Sequence, residues 1–302
     1  MTESIVSQIK DKLCPDGIWR LSDIMKSILK RQINRMPKGN ASDEEAMYPS
    51  TAAGMREFLS TFFSRHYFQI QNSLMDYIDS EDFEDIISNG EIRILDIGCG
   101  PAVGVLAVTD IIRSLLENQS NSVLRPVRFV YVLNDTSKIC LSIGQRMLNE
   151  YLDLCRVSKI GTGEQKVLTL TNDFPNNIKQ LERIEKNYGT YHLMMFSYVI
   201  RPLVDENGTS GLAKDIVKAE KLCESRGRML ILQDQYRESL LRMLGKQINA
   251  SVENKELTQE IFPKRGTADT HTYSYYQCLY KPRHNSAEAV TGRAKAVVFE
   301  SI

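Results

Sequence analysis

In the stretch ILDIGCGPAVGVLAV, residues 94–108, an aliphatic run ends in Asp96, Gly98 and Gly100 follow with Cys99 between them, and an apolar segment long enough for a helix begins. A carboxylate at a strand end followed by a turn with almost no side chains suits a nucleotide-like ligand. The glycines let the backbone turn tightly and come close to the ligand without a Cβ in the way. A phosphate-binding dinucleotide turn needs a third glycine at the position held here by Val103. Gly104, one residue later, would instead allow close packing of the following helix on the sheet. No G-K-[ST] run is present, which argues against a nucleoside-triphosphate loop.

The elements that must hold this turn can be read from period and punctuation. From Glu91 onward short β-rich runs, EIRILDI, VRFVYVL, KVLTLT, YHLMMFS and GRMLILQ, alternate with helical patterns at about 102–118, 136–155, 176–187, 210–225 and 235–261. Repeated strand–helix units imply a mainly parallel α/β sheet covered on both faces, with right-handed crossovers. Two last β-rich runs, HTYSYYQCLYK and AKAVVFESI, have no helical pattern between them and predict an antiparallel hairpin at one sheet edge. Residues 1–90 read as helical. Leu21, Met25, Ile28, Leu29 and Met36 share one helical face behind Ser22 as a plausible N-cap, the loop PKGNASDEEAMYP follows, and a second pattern from Ser50 or Thr51 runs through Met55, Phe58, Leu59, Phe62, Phe63, Ile70, Leu74 and Ile78. The expected organisation is a helical N-terminal cap, 1–90, and an α/β domain, 91–302.

The D-x-G-x-G turn after the first strand, with further strands and a terminal hairpin behind it, resembles the class I S-adenosylmethionine-dependent methyltransferases over roughly residues 91–302. The resemblance implies a Rossmann-like, seven-stranded sheet and S-adenosylmethionine as cofactor. It assigns Asp96, Gly98, Cys99 and Gly100 to the cofactor site. It also places Asp135, with Thr136 and Ser137, at the ribose hydroxyls, a task that suits a carboxylate because it accepts two donors at once. After the third strand, Asp173 would receive the adenine amine and Phe174 would cover the ring. After the fourth, Ser197 and Tyr198 would lie beside the methionine portion and the methyl group. Taken singly, Asp135 would serve equally as a helix N-cap and Asp173 as a turn residue. Their order, one at the end of each successive strand, favours a common crevice.

The resemblance has departures. Relatives often begin the fourth strand with Asp after an aromatic residue, whereas this chain has Tyr191-His192; the histidine is either a tolerated strand-edge residue or alters the local pairing. The fourth strand runs into FSYV rather than [DN]-P-P-[FYW], which disfavours methylation of exocyclic base amines, and Cys14-Pro15 reverses the order used for covalent attack on pyrimidine carbon. MYPSTAAGMREF, DIGCGP and SYVI also resemble methyltransferase-like proteins of the small ribosomal subunit, but this chain lacks the paired cysteines expected of that group for a metal cluster. Its six cysteines are scattered and read as buried free thiols, so no metal is expected.

The acceptor is less legible. An N-terminal helical extension in this superfamily often folds over the cofactor as a lid. Tyr48 and Arg56 would then reach the crevice, as would His271 ahead of the terminal hairpin; packing, a solvated face and a structural imidazole are the respective alternatives. No general base is identified. The favoured reading is transfer to a small or medium organic acceptor. Alternatives are an RNA- or ribosome-directed enzyme, and a cofactor-binding module or assembly factor without catalysis. Lys plus Arg and Asp plus Glu both number 38, so bulk charge supports neither nucleic-acid nor membrane coating. Residues 10–38 carry eight basic and three acidic side chains, 8 − 3 = +5, which keeps an RNA contact open. No apolar run spans a bilayer and the N-terminus lacks a signal-peptide core, so a cytoplasmic protein is expected.

Overall fold

The computed structural model describes residues 5–39, 41–75, 90–118, 127–157, 162–234, 238–251, 258–262, 273–275, 290–292 and 294–300. The N-terminal part holds α1 (Ile5–Leu13), the short strand β1 (Ile18–Trp19), α2 (Asp23–Arg35), α3 (Asp43–Met47), α4 (Ala52–Thr61) and α5 (Phe63–Met75). The α/β part continues with β2 (Glu91–Ile97), α6 (Val103–Asn118), β3 (Val127–Asn134), α7 (Lys138–Val157), β4 (Thr162–Leu170), α8 (Ile178–Tyr188) and β5 (Tyr191–Ser197). It ends with α9 (Ile200–Glu220), β6 (Cys223–Asp234), α10 (Glu238–Ser251), β7 (Thr258–Phe262), β8 (Tyr273–Tyr275), β9 (Val290–Gly292) and β10 (Ala294–Glu300).

The main sheet runs β4-β3-β2-β5-β6-β10-β7. Its first five strands are parallel. The chain winds from β2 through β3 to β4 on one side, then returns to β5 and β6 on the other. That is a doubly wound, Rossmann-like order, and its switch point lies beside β2, where ligands bind outside the carboxyl ends of the strands.

The period of two explains the layers. Ile92 and Ile94 of β2, Phe129, Tyr131 and Leu133 of β3, and Met195 of β5 face α6 and α7. Leu95, Ile97, Val132, Met194 and Phe196 face α8, α9 and α10. Helix α6 is buried all round, from Val103 to Leu116. A helix with no solvent-exposed face is covered on its outer side as well, where Thr109, Asp110, Arg113 and Ser114 are also buried. Helices α1 and α5 supply that cover, and Ile9, Phe68 and Ile70 belong to the same buried cluster as Val105, Leu106 and Ile111.

Several elements differ from the sequence reading. The segment expected to be a loop before Tyr48 forms α3, because the Ser42 Oγ accepts from the Glu45 amide at 3.1 Å and three acidic side chains occupy its first turn. The long second helix is two, joined at Phe62. Helix α9 starts at Ile200, ten residues before the expected start at 210, with a non-helical Gly208 (φ 67°) inside it; that glycine is what obscured its first half. Of the helix expected at 235–261, Glu238–Ser251 is described as helix, and 258–262 is a strand. Consequently the expected terminal hairpin is corrected. Strand β10 pairs antiparallel with β6 and β7, while Tyr273–Tyr275 joins β9 and, in parallel, β1 in a separate three-stranded sheet.

His192 alters the pairing at the start of β5. Its Nδ1 accepts the Arg93 backbone amide at 2.9 Å and its Nε2 lies 2.9 Å from Glu224, beside a register shift between Tyr191 and Leu193. Burial first, and the Arg93 guanidinium second, hold this imidazole below its ordinary pKa. The neutral ring therefore accepts at Nδ1 and donates from Nε2 to the carboxylate.

Candidate functional site

The loops at the carboxyl ends of β2, β3, β4 and β5 enclose one cavity of about 630 Å³ together with residues of α3, α4 and α5. Its floor is stitched by backbone. The Gly98 and Cys99 amides donate to the Asn134 carbonyl at 2.8 and 3.0 Å, and the Gly100 amide donates to Asp135 Oδ2 at 2.8 Å. Asp135 Oδ1 accepts the Ser137 amide at 2.8 Å. Helix α7 is capped by Ser137, whose Oγ lies 3.4 Å from the Cys140 amide, so Asp135 is released from the capping role that its position also permitted. A carboxylate offers about four acceptor positions, and two of those of Asp135 are used by these amides. Burial pushes its pKa up, against the pull of the Ser137 and Gly100 amides.

Glycine is required at Gly98 by contact: φ is +68° and a Cβ would stand 2.5 Å from the Val199 side chain. At Gly100, φ is +52° and a Cβ would meet nothing within 4 Å, because that side faces the open cavity. The two glycines of the motif thus do different work, one closing the turn on the β5 loop and one keeping the ligand space clear.

Beyond β4, Asn134 Nδ2 donates to the carbonyls of Leu170 and Asn172 at 3.1 and 2.6 Å, and Asn177 Nδ2 donates to the Asn172 carbonyl at 3.1 Å. This fixes the turn bearing Asp173, which is exposed and accepts from Asn176 at 2.7 Å, and Phe174, which is buried edge-on against Phe196 at 5.4 Å. Both residues line the cavity, as do Thr136, Ser197 and Tyr198. The Ser197 hydroxyl is buried without a partner. Tyr198 has φ +64°, a costly conformation for a residue with a Cβ. Its ring stacks on His66 at 4.1 Å and its hydroxyl bonds Gln69, so helix α5 holds the conformation in place.

Two expected site residues lie elsewhere. Asp96 does not line the cavity. The strand period puts it on the α6 face with Ile92 and Ile94, fully buried, where a Cβ on Gly104 would be 2.8 Å from its Oδ2. Burial raises its pKa to about 8; the Val105 amide offsets this in part and the Asp135 charge adds to it. Arg56 does not line the cavity either, because its guanidinium donates to the Ile33 and Met36 carbonyls at the end of α2. Tyr48 lines the mouth of the cavity and is 57% exposed. His271 lies outside the described residues.

A helical lid was expected from the sequence; apart from Tyr48, the residues that form it were not. Met47, Pro49 and Ser50 from the α3–α4 connection, and Phe58, His66 and Ile70 from α4 and α5, close the cavity from above. The Ser137 hydroxyl donates to the Pro49 carbonyl at 2.8 Å and ties roof to floor. Burial, then the Arg65 charge, lowers the His66 pKa to about 3, so the ring is neutral. For His66 the signal in the sequence is the helical phase Phe58, Phe62, His66, which marks a face without naming its partner.

In the basic segment, Lys12, Lys26 and Arg31 are engaged with Glu117, Asp23 and Glu150. Among the described residues no helix is long and apolar enough to cross a membrane. The described cysteines, Cys14, Cys99, Cys140, Cys155 and Cys223, are buried and free.

No family model and no curated protein matches the chain. Solved structures similar to it include a putative O-methyltransferase from Klebsiella pneumoniae, at 8% identity and a TM-score of 0.39, covering 94% of this chain and 92% of that one. An SAH-bound methyltransferase from Podospora anserina has 13% identity and a TM-score of 0.36, with 84% and 88% covered. A precorrin-6y C5,15-methyltransferase from Geobacter metallireducens has 9% identity and a TM-score of 0.36, with 74% and 87% covered.

Proposed function

We propose that the chain is an S-adenosylmethionine-dependent methyltransferase acting on a small or medium organic acceptor enclosed beneath the N-terminal helices. One observation carries the reading. The Gly98, Cys99 and Gly100 amides are all spent on Asn134 and Asp135, so the glycine turn presents no nest of free N–H groups to a phosphate, while the Asp135 carboxylate keeps acceptor positions beside the cavity. A ligand bearing adenosine hydroxyls and no phosphate satisfies that pattern; a dinucleotide does not.

The residues fit the group. Gly100 leaves room for it, Asp135 would accept the ribose hydroxyls, Phe174 and Asp173 would border the adenine, and the unpartnered Ser197 hydroxyl offers a partner near the methionine end. Asp96 supports the floor from behind, as a neutral acid under the first turn of α6. Bound S-adenosylmethionine would supply a methyl carbon whose bond to sulfur breaks toward sulfur as the acceptor's lone pair forms the new bond. The chain's own part is alignment and exclusion of water. The strand-end loops set the line of approach, and the apolar roof formed by residues 47–70 acts as the lid. The N-terminal helices and the α/β part from residue 91 thus divide the work between acceptor and cofactor.

Calorimetric titration tests this. S-adenosylhomocysteine should bind the full chain and NAD should not. NAD binding as tight as S-adenosylhomocysteine, or no binding of the latter, would overturn the assignment.

A further inference from the structure

Resting on the methyl-donor reading above, we infer that the roof of the cavity is a subsite for a planar, uncharged acceptor carrying an O–H or N–H group, seated against the stacked His66–Tyr198 pair and recognised by the His66 imidazole. The charged side chains that line the cavity, Asp135, Lys138, Asp173 and Glu206, belong to the strand-end loops and to α7 and α9, whereas the lining residues of α4 and α5 are Phe58, His66 and Ile70. A charged acceptor placed under that roof would lose its hydration with no counterion to replace it. A planar ring would gain offset or edge contacts with the rings already there.

His66 is held for such a task. One face of its ring lies on Tyr198, at 4.1 Å and 14°, and the rings of Phe58, T-shaped to it, and Phe62, tilted, lie 5.8 and 6.2 Å away. Neither ring nitrogen makes a hydrogen bond to a described residue, although the side chain lines the cavity. A neutral imidazole carries one acceptor and one donor nitrogen. The acceptor nitrogen would accept a hydrogen bond from the hydroxyl or amine and orient its heavy atom. His66 therefore serves as a recognition residue. The positive φ of Tyr198 belongs to the same arrangement, because the strained loop is what brings its ring beneath the imidazole.

The probes are 2-naphthol and 2-methoxynaphthalene, which share a ring system but differ in the hydroxyl, titrated into protein saturated with S-adenosylhomocysteine. Wild type should bind 2-naphthol more tightly by about tenfold, the size of one hydrogen bond to an otherwise unpaired group. His66→Phe, which keeps an aromatic ring on Tyr198, should reduce that ratio to within about twofold while leaving S-adenosylhomocysteine affinity unchanged. The wild-type His66 ring ¹⁵N resonances should shift with 2-naphthol and not with 2-methoxynaphthalene, a readout independent of whether the variant folds. Equal binding of the two probes by wild type, or unmoved ¹⁵N resonances, would overturn the subsite while the donor reading stands. Failure of S-adenosylhomocysteine to bind wild type removes the donor reading itself, and the subsite with it.

Discussion

The floor of the cavity is made of backbone amides, two glycines and a carboxylate drawn from four consecutive strand ends; the roof is made of aromatic and aliphatic side chains from helices that precede the sheet in sequence. The amides of the glycine turn are satisfied within the floor, and Asp135 is bonded by the Gly100 and Ser137 amides. The lining residues of α4 and α5 bring only one polar side chain, His66, whose ring nitrogens have no hydrogen-bond partner among the described residues. The contrast shows how an invariant ligand and a variable one can share a pocket. Hydrogen-bond geometry set by strand ends admits little change, whereas an apolar surface can be recut by side-chain substitution without disturbing the sheet.

The comparison breaks most severely at Gly98. Gly98→Ala puts a Cβ 2.5 Å from Val199 at φ +68°. Left-handed strain of about 1–2 kcal/mol and overpacking of about 1–3 kcal/mol should combine into a marked fall in unfolding midpoint. Gly100→Ala has the strain without the clash. It should lose only about 1–2 kcal/mol of stability, again by thermal unfolding, but should weaken S-adenosylhomocysteine binding because the new methyl occupies ligand space. Equal stability losses for the two would show that the motif's glycines are not divided as the floor geometry indicates.

Next in size is Asp135→Ala. Loss of charge-assisted bonds should cost roughly 1.5–3 kcal/mol, on the order of tenfold to over a hundredfold in calorimetric affinity for S-adenosylhomocysteine, with 2-naphthol binding to the variant far less affected. A parallel loss of both would mean that floor and roof are one energetic unit.

Asp96 sharpens the comparison through pH. Its folded-state pKa, about 8, lies above the unfolded one, so the stability it contributes is full below the ordinary carboxylate range and is lost as pH rises toward 8. Asp96→Asn keeps the shape and cannot ionise. Between pH 5 and 8 it should lose less stability than wild type, measured by denaturant midpoint; parallel curves would show that the carboxylate is ionised and paired. His66 works in the opposite sense. Lowered to about 3, it withdraws stability as pH falls below its ordinary value near 6.5, and His66→Phe should flatten that acid limb.

The smallest effect is at the seam. Ser137→Ala removes the 2.8 Å bond to the Pro49 carbonyl together with the long, 3.4 Å cap contact to the Cys140 amide, and a loss of about 0.5–1.5 kcal/mol is expected, visible as faster amide exchange around residues 47–50 and at the first turn of α7 with little change in S-adenosylhomocysteine affinity.

What the sequence determined by itself was whatever depends on near neighbours. The five parallel strands stand out because each is a short apolar run bounded by turn residues, and the glycine turn stands out because only small residues tolerate its dihedrals. Ser22 as a cap, and the succession Asp135, Asp173, Ser197 at strand ends, follow from the same local chemistry. Tertiary structure decided the rest, since those outcomes depend on which surfaces meet. Asp96 lies under α6 because the face of β2 that carries Ile92 and Ile94 is the one packed on that helix. Arg56 was claimed by the unpaired carbonyls at the end of α2. Strand β10 found β6 and β7 in place of the nearer 271–281 segment. His66 met Tyr198 across 132 residues of chain, 198 − 66, because the buried outer face of α6 had to be covered, and the helices that cover it carry the roof of the pocket with them.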